Sequence, residues 1–446
     1  MNLSRMLAAR AAEGRPVRVG VIGCGKFGAM FLSQAGRTTG MQVVGVADLD
    51  LERARSQLAR INWPAERYGA ASFADAFRDG TTFLTEDAQE LIRTGGIEVI
   101  VEATGNPPAG IRHALACFEA GRHVVMVNVE ADVLAGPLLA RKAADAGVAC
   151  AMAYGDQPAL IYEMVDWART CGLEVVAAGK GTKHMAHYHQ STPETVWDYY
   201  GIDAERAALG GMNAQMFNSF VDGTKSGIEM AAVANATGLN VPRKGLSFRP
   251  ASVYELADLL KPEADGGTLE GRGGYVEVIS CFGANGQEVP HNLRQGVYVT
   301  FAGADEYVRR CFAEYHVSTD ESGEYAALWR PSHLIGLELG VSVATAALRG
   351  ESTGHAESWA GDVVATAKRD LRAGEMLDGE GGYCVWGRLM PSADSLALGG
   401  LPIGLAHGVR LRNAIPFGRP VTWDDVEIDP TDPTVAFRRE MERAFA

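Results

Sequence analysis

Apolar and polar positions alternate along this chain in three successive patterns. Over the first 155 residues, short and nearly all-apolar runs are separated by segments with apolar residues at helical spacing. The runs at 17–22, 41–48, 98–105, 123–130 and 148–154 read as strands buried on both faces, which predicts a parallel sheet wrapped by helices. Helices are expected from 106 through Glu119 and over 136–146, and the stretch 60–96 reads as a helical excursion with polar turns. Beyond 155 the regular alternation stops. A helix over 159–170, a strand leading to Lys180 and a helix from 218 to about 236 are followed by alternating segments at 274–281 and 296–302. These last two predict strands of an antiparallel sheet, which the helix-rich run 331–348 would close. From 362 onward, short apolar segments between Gly turns predict a compact β-rich unit.

The first strand ends in Gly23-Cys24-Gly25-Lys26-Phe27-Gly28, and a helix-competent segment starts at once. In G-x-G-x-x-G the first glycine makes the tight turn, the second lets backbone approach a pyrophosphate, and the third packs helix on strand. The helix N-terminus then offers N–H groups to the anion. The next strand ends in Asp48, about 20 residues on, where a ribose-binding acid belongs. Asp48 favours NAD, since a carboxylate repels a 2′-phosphate; Arg53 or Arg55 would admit NADP by reaching back over the ribose. Thr104, Gly105, Asn106 and Asn128 fall at carboxyl ends of later strands, where such sheets bind ligands. The fold class is therefore α/β: a Rossmann doubly wound sheet over 1–155, an α+β substrate and oligomerisation domain over 156–355, and a small β-rich domain over 356–446.

At 446 residues the chain exceeds one domain, and 47% hydrophobic content supplies a large core without any stretch able to cross a bilayer. The lead-in before Arg15 has no apolar signal core, so a cytoplasmic location is expected. Seven scattered cysteines without a C-x-x-C pair fit reduced thiols and argue against a zinc ribbon. A net charge of −14 disfavours nucleic acid and anionic membrane as partners. An anionic substrate would need basic residues gathered locally.

Carbonyl reduction needs a nicotinamide, a donor to the developing alkoxide and groups that anchor the substrate. Lys180 and Lys183 at a strand end are one candidate set, and Asp222, Lys225 and Glu229 another. On a helix Lys225 and Glu229 share a face. Either set reads equally as solvated lysines or surface ion pairs. Arg243, Arg330 and the nearby His333 are the natural phosphate clamps. His184, His187 and His189 offer metal donors with no carboxylate close in sequence.

Four motifs (Val21-Ile-Gly-Cys-Gly-Lys-Phe-Gly28, Glu102-Ala-Thr-Gly-Asn106, Phe220-Val-Asp-Gly-Thr-Lys-Ser226 and Arg369-Asp-Leu-Arg-Ala-Gly374) give the chain a family likeness over nearly its whole length. It resembles homoserine-dehydrogenase-like oxidoreductases with a C-terminal SAF domain, and within them the DXR-like (DRL) enzymes. Homoserine dehydrogenases carry a catalytic lysine where Val129 stands here, which favours the DRL likeness. The resemblance implies NADPH-dependent conversion of 1-deoxy-D-xylulose 5-phosphate to 2-C-methyl-D-erythritol 4-phosphate, in isoprenoid precursor synthesis, by a homo-oligomer. The vicinal oxygens of such a phosphorylated sugar must be polarised, either by Lys180, Lys183 and Lys225 or by a divalent Mg or Mn ion on Asp222 and Glu229. Two other functions fit the same residues: a dehydrogenase of a small polyol, sugar acid or semialdehyde, and a dinucleotide-sensing or carbohydrate-binding protein without turnover.

Overall fold

The first apolar runs pair as one parallel sheet. In this computed structural model, which describes residues 2–209 and 212–445, its strands are β1 (Val17–Ile22), β2 (Met41–Ala47), β3 (Phe83–Thr85), β4 (Val99–Glu102), β5 (His123–Met126) and β6 (Cys150–Met152). Their order is β3-β2-β1-β4-β5-β6, so the winding direction reverses between β1 and β4. β3 lies inside the expected helical excursion. Three residues between helices capped by Ser72 and Asp87 are too few for a strand period to register. β5 also stops short of the expected 130. Asn128 caps the helix Val129–Asp145 by accepting the Ala131 N–H, and Glu130 and Asp132 suit its positive first turn.

The helix Gly340–Arg349 does not close the second domain. Leu339, Val343, Ala344 and Ala346 join the core of Val19, Val21, Val99, Val101 and Val125. Ser342 ties the helix to the end of β6, accepting the Tyr154 N–H at 2.8 Å and donating to the Met152 carbonyl at 2.9 Å. Small residues on this helix let it sit close to the strands, a preference that periodicity alone does not express. The chain accordingly forms two compact units, one of residues to Leu160 with Leu334–Ala356, the other of Ile161–His333 with the residues from Glu357 on.

In the second unit β7 (Glu174–Thr182), β8 (Arg249–Pro250), β9 (Tyr275–Ser280), β10 (Val297–Ala302), β11 (Ser318–Thr319) and β12 (Tyr325–Arg330) form a sheet of order β11-β12-β10-β7-β9-β8. It is mixed, where an antiparallel sheet was expected. β10 runs antiparallel to β7, but β9 is parallel to it, because the helix Thr224–Thr237 lies in the crossover that a parallel pair requires.

That helix is buried at nearly every position, so it needs cover on the side away from the sheet. The C-terminal segment provides it through the paired strands β13 (Gly361–Ala367) and β15 (Val385–Pro391), while β14 (Met376–Asp378), β16 (His407–Leu411) and β17 (Val426–Glu427) form a second small sheet. The segment is β-rich as expected, yet it belongs to the second unit and is not a separate body. The Gly387 N–H donates to Thr224 Oγ1 at 2.8 Å, and Asn235 Oδ1 accepts from Ala360 and Gly361. From the last helix, Pro433–Phe445, the fully buried Arg438 reaches both oxygens of Asp362, at 3.1 and 2.6 Å, and Glu442 at 3.0 Å. No described helix is long and apolar enough to cross a membrane.

Replacing Arg438 by Leu strands the buried Asp362 carboxylate without a cation. A loss of about 3–5 kcal/mol is expected, read as a lower Tm of the full chain; an unchanged Tm would show that the latch contributes nothing.

Candidate active site

The glycine turn after β1 is shaped as its sequence requires. Gly23 has φ +95°, and a Cβ there would stand 2.6 Å from the Ala103 carbonyl. A Cβ on Gly28 would stand 2.1 Å from the Gly23 carbonyl, whereas Gly25 faces open space. The helix Lys26–Ala35 starts at Gly25 with no side chain capping its first N–H groups. This is a cradle for a pyrophosphate, and it fits the dinucleotide.

At the ribose end, the Asp48 carboxylate is buried and already engaged. Oδ2 accepts the Cys24 N–H at 2.7 Å, and Oδ1 accepts the Asp50 N–H at 3.0 Å and Arg53 Nη2 at 2.7 Å. Arg53 thus reaches back over the acid with a largely exposed guanidinium, while Arg55 lies towards Glu52. Cys24 contributes only backbone. Burial, and then Asp48, push its thiol up to about 12.

The later strand ends behave differently from expectation. The Thr104 hydroxyl turns inward to donate to Glu102, a fully buried carboxylate that also meets His113 Nδ1 at 3.2 Å. Asn128 is 1% exposed and uses both ends of its amide, donating to the Asn106 carbonyl and capping its own helix. Asn106 likewise caps the helix Pro107–Glu119. These three shape the loop at Gly105 more than they line it.

In the second unit the buried Lys180 forms an ion pair with the buried Glu229. β7, a central strand, carries the lysine near its C-terminal end and the Thr224–Thr237 helix brings the acid across; Lys225, one turn earlier, shares the helix face of Glu229. In the strand registers Val297 pairs with both Lys180 and Arg330, so the three lie level on adjacent strands. His333, just beyond, holds its ring on the Gln295 carbonyl.

Three expected members have other partners. Asp222 does not join Lys225 and Glu229; its buried carboxylate lies 2.7 Å from Lys368, which also donates to the Ser191 and Gly382 carbonyls. Lys183, just past β7, lies over the Phe282 ring, its pKa lowered by burial and then by Arg294. Arg243 is exposed, with its backbone N–H on Glu270. Asp222 and Glu229, the alternative Mg or Mn pair, are each paired with a lysine, and among the described residues no group of three or more His, Cys, Asp or Glu could hold a metal ion. The histidine triplet is no exception: His184 stacks on Phe248 at 3.9 Å, its pKa pushed down to about 3 by burial, and His187 packs against Tyr199. Lys368 and the Glu102–His113 pair escaped sequence reading because no spacing links them to their partners.

Residues 17–126 match the family model described as "Oxidoreductase family, NAD-binding Rossmann fold", and 155–339 match "Oxidoreductase DRL, catalytic domain". The chain thus joins a segment that matches an oxidoreductase NAD-binding Rossmann fold to one that matches the DRL catalytic domain. No curated protein matches it. Among solved structures it is similar to an NAD binding oxidoreductase from Klebsiella pneumoniae (17% identity, 40% of this chain, 45% of that one, TM-score 0.29). It is also similar to biliverdin reductase from Synechocystis (21%, 38% and 48%, 0.24) and to homoserine dehydrogenase from Thiobacillus denitrificans (16%, 50% and 49%, 0.35). The chain spans about half the length of each. Likenesses this distant assign no substrate.

Gly28→Ala should weaken NADPH binding by about tenfold or more, because the added methyl must push the helix N-terminus off the turn. Nicotinamide fluorescence titration checks this; undiminished affinity would remove the turn from the binding site.

Proposed function

We propose that the chain is an NADPH-dependent reductoisomerase of a phosphorylated ketose, converting 1-deoxy-D-xylulose 5-phosphate to 2-C-methyl-D-erythritol 4-phosphate. The observation that carries this reading is the buried Lys180–Glu229 pair within the DRL-matched segment. In this reaction one carbon–carbon bond breaks and another forms to give a branched aldehyde of the same composition. A hydride and a proton then reduce the aldehyde. When bound, NADPH supplies the hydride. Lys180 holds a proton at the reacting oxygen and stabilises the alkoxide, and Glu229 fixes the position of that lysine. Lys225 adds a second cation from the same helix face, and Arg330, level with Lys180, anchors the phosphate through its planar fork.

Arg53 supports NADPH over NADH, since it cancels the Asp48 carboxylate and presents a guanidinium for the 2′-phosphate. A second reading, simple dehydrogenation of a small polyol, sugar acid or semialdehyde, is favoured by one feature. With Asp222 and Glu229 both held by lysines, the residues supply a proton donor more directly than a chelating site for vicinal oxygens.

Turnover decides between them: NADPH consumed only with 1-deoxy-D-xylulose 5-phosphate supports the first, and oxidation of an unphosphorylated polyol or semialdehyde supports the second. The double variant Lys180→Met, Glu229→Gln leaves no bare buried carboxylate and should lower kcat by roughly 100-fold or more with NADPH affinity intact. Unchanged turnover would remove the pair from the reaction. Arg53→Ala should weaken NADPH by about tenfold while leaving NADH little changed, as paired binding titrations would show; an equal loss for both would place the guanidinium away from the 2′-phosphate.

A further inference from the structure

A cavity of about 300 Å³ opens in the second unit beside the N-terminal turn of the Thr224–Thr237 helix. Gly223 and Gly227 line it; a Cβ on Gly223 would stand 3.1 Å from the His189 ring, and one on Gly227 3.0 Å from the Gly387 carbonyl. Glu229, two residues on, points about 200° away around the helix. The cavity is therefore distinct from the Lys180–Glu229 pair. Its walls carry Lys244, Lys368 and Arg388, and no Asp or Glu is among its lining residues. In a chain of net charge −14 that is a local reversal of sign.

The three cations are not equivalent. Lys368 is matched by Asp222 behind the wall. Among the described residues neither Lys244 nor Arg388 has a carboxylate within ion-pair distance, and Arg388 Nη2 donates to the Lys244 carbonyl at 3.3 Å, which keeps the two together. Beside them His189 stacks on Trp386 with ring centroids 4.0 Å apart. The His189 Nδ1–H donates to the Asp222 carbonyl at 2.7 Å, so Nε2 is the acceptor of a neutral ring. Phe417, 55% exposed, completes the aromatic lining.

We propose that this cavity binds a small phosphorylated sugar, with its phosphate between Lys244 and Arg388 and its sugar against Trp386 and Phe417. Two unmatched cations balance a phosphate dianion, whereas a single carboxylate would leave one charge over. Aromatic faces take the C–H face of a sugar, and His189 Nε2 accepts from a hydroxyl. The volume lies at the low end for ligand pockets, which suits a pentose phosphate better than a dinucleotide. Trp386, Arg388 and Phe417 lie outside both matched segments, and the proposal does not rest on the reductoisomerase reading.

Calorimetric titration of the full chain with ribose 5-phosphate, inorganic phosphate, ribose and gluconate tests it. Ribose 5-phosphate should bind about tenfold or more tighter than the other three. Lys244→Gln and Arg388→Gln should each weaken it by about tenfold or more, and the Lys180→Met, Glu229→Gln variant should leave it unchanged. Lys244 is exposed, so its replacement leaves the fold in place. Absence of binding by ribose 5-phosphate overturns the proposal, as does gluconate or inorganic phosphate binding equally well. So does affinity that survives both cavity substitutions, or that falls with the Lys180 variant.

Discussion

The second unit is organised by the enclosure of one helix, Thr224–Thr237. Sheet packs on one side of it and the C-terminal strands on the other, so almost no position along it reaches water. A carboxylate in such a place must meet a cation within the fold or lose its charge. Two acids here meet that condition in opposite directions. Glu229 is answered by Lys180 from the sheet, and Asp222, at the helix entrance, by Lys368 from the C-terminal segment. The helix thus separates two charged regions that the sequence places within seven residues of each other.

The same logic governs the dinucleotide end of the first unit. Asp48 is held by two backbone N–H groups, which fix its carboxylate before any ligand arrives, and Arg53 then cancels its charge. Pairing removes the negative charge that the buried carboxylate would otherwise present at this point. Where a basic side chain is paired it sets geometry; where it is unpaired, as at Lys244 and Arg388, it is left to attract an anion.

Legibility in the sequence followed the range of the interactions. The turn at Gly23, Gly25 and Gly28 was readable because its steric demands lie between residues a few positions apart. The Lys225–Glu229 helix face was readable for the same reason. β3 was lost because three residues carry no period, and the parallel setting of β9 because alternation says nothing about strand direction. The Gly340–Arg349 helix was assigned to the wrong core, since its apolar face is complementary to either sheet until the strands are placed. Asp222 was grouped with its sequence neighbours when its partner, Lys368, stands on a strand end far along the chain. Asn128 looked like a ligand group because caps and ligand contacts use the same side chain at the same strand ends.

In the proposed reading lysines take the part that a divalent ion would otherwise play, and the two differ in more than charge. A metal polarises oxygen through geometry and charge and gives up no proton of its own, whereas an ammonium group stabilises an alkoxide and can also protonate it. Burial raises the effect of each charge by excluding the water that would screen it. The Lys180 ammonium is held in one place near the end of β7 by its ion pair. Its acid must therefore come from an element that cannot move away, and the enclosed helix that carries Glu229 is such an element.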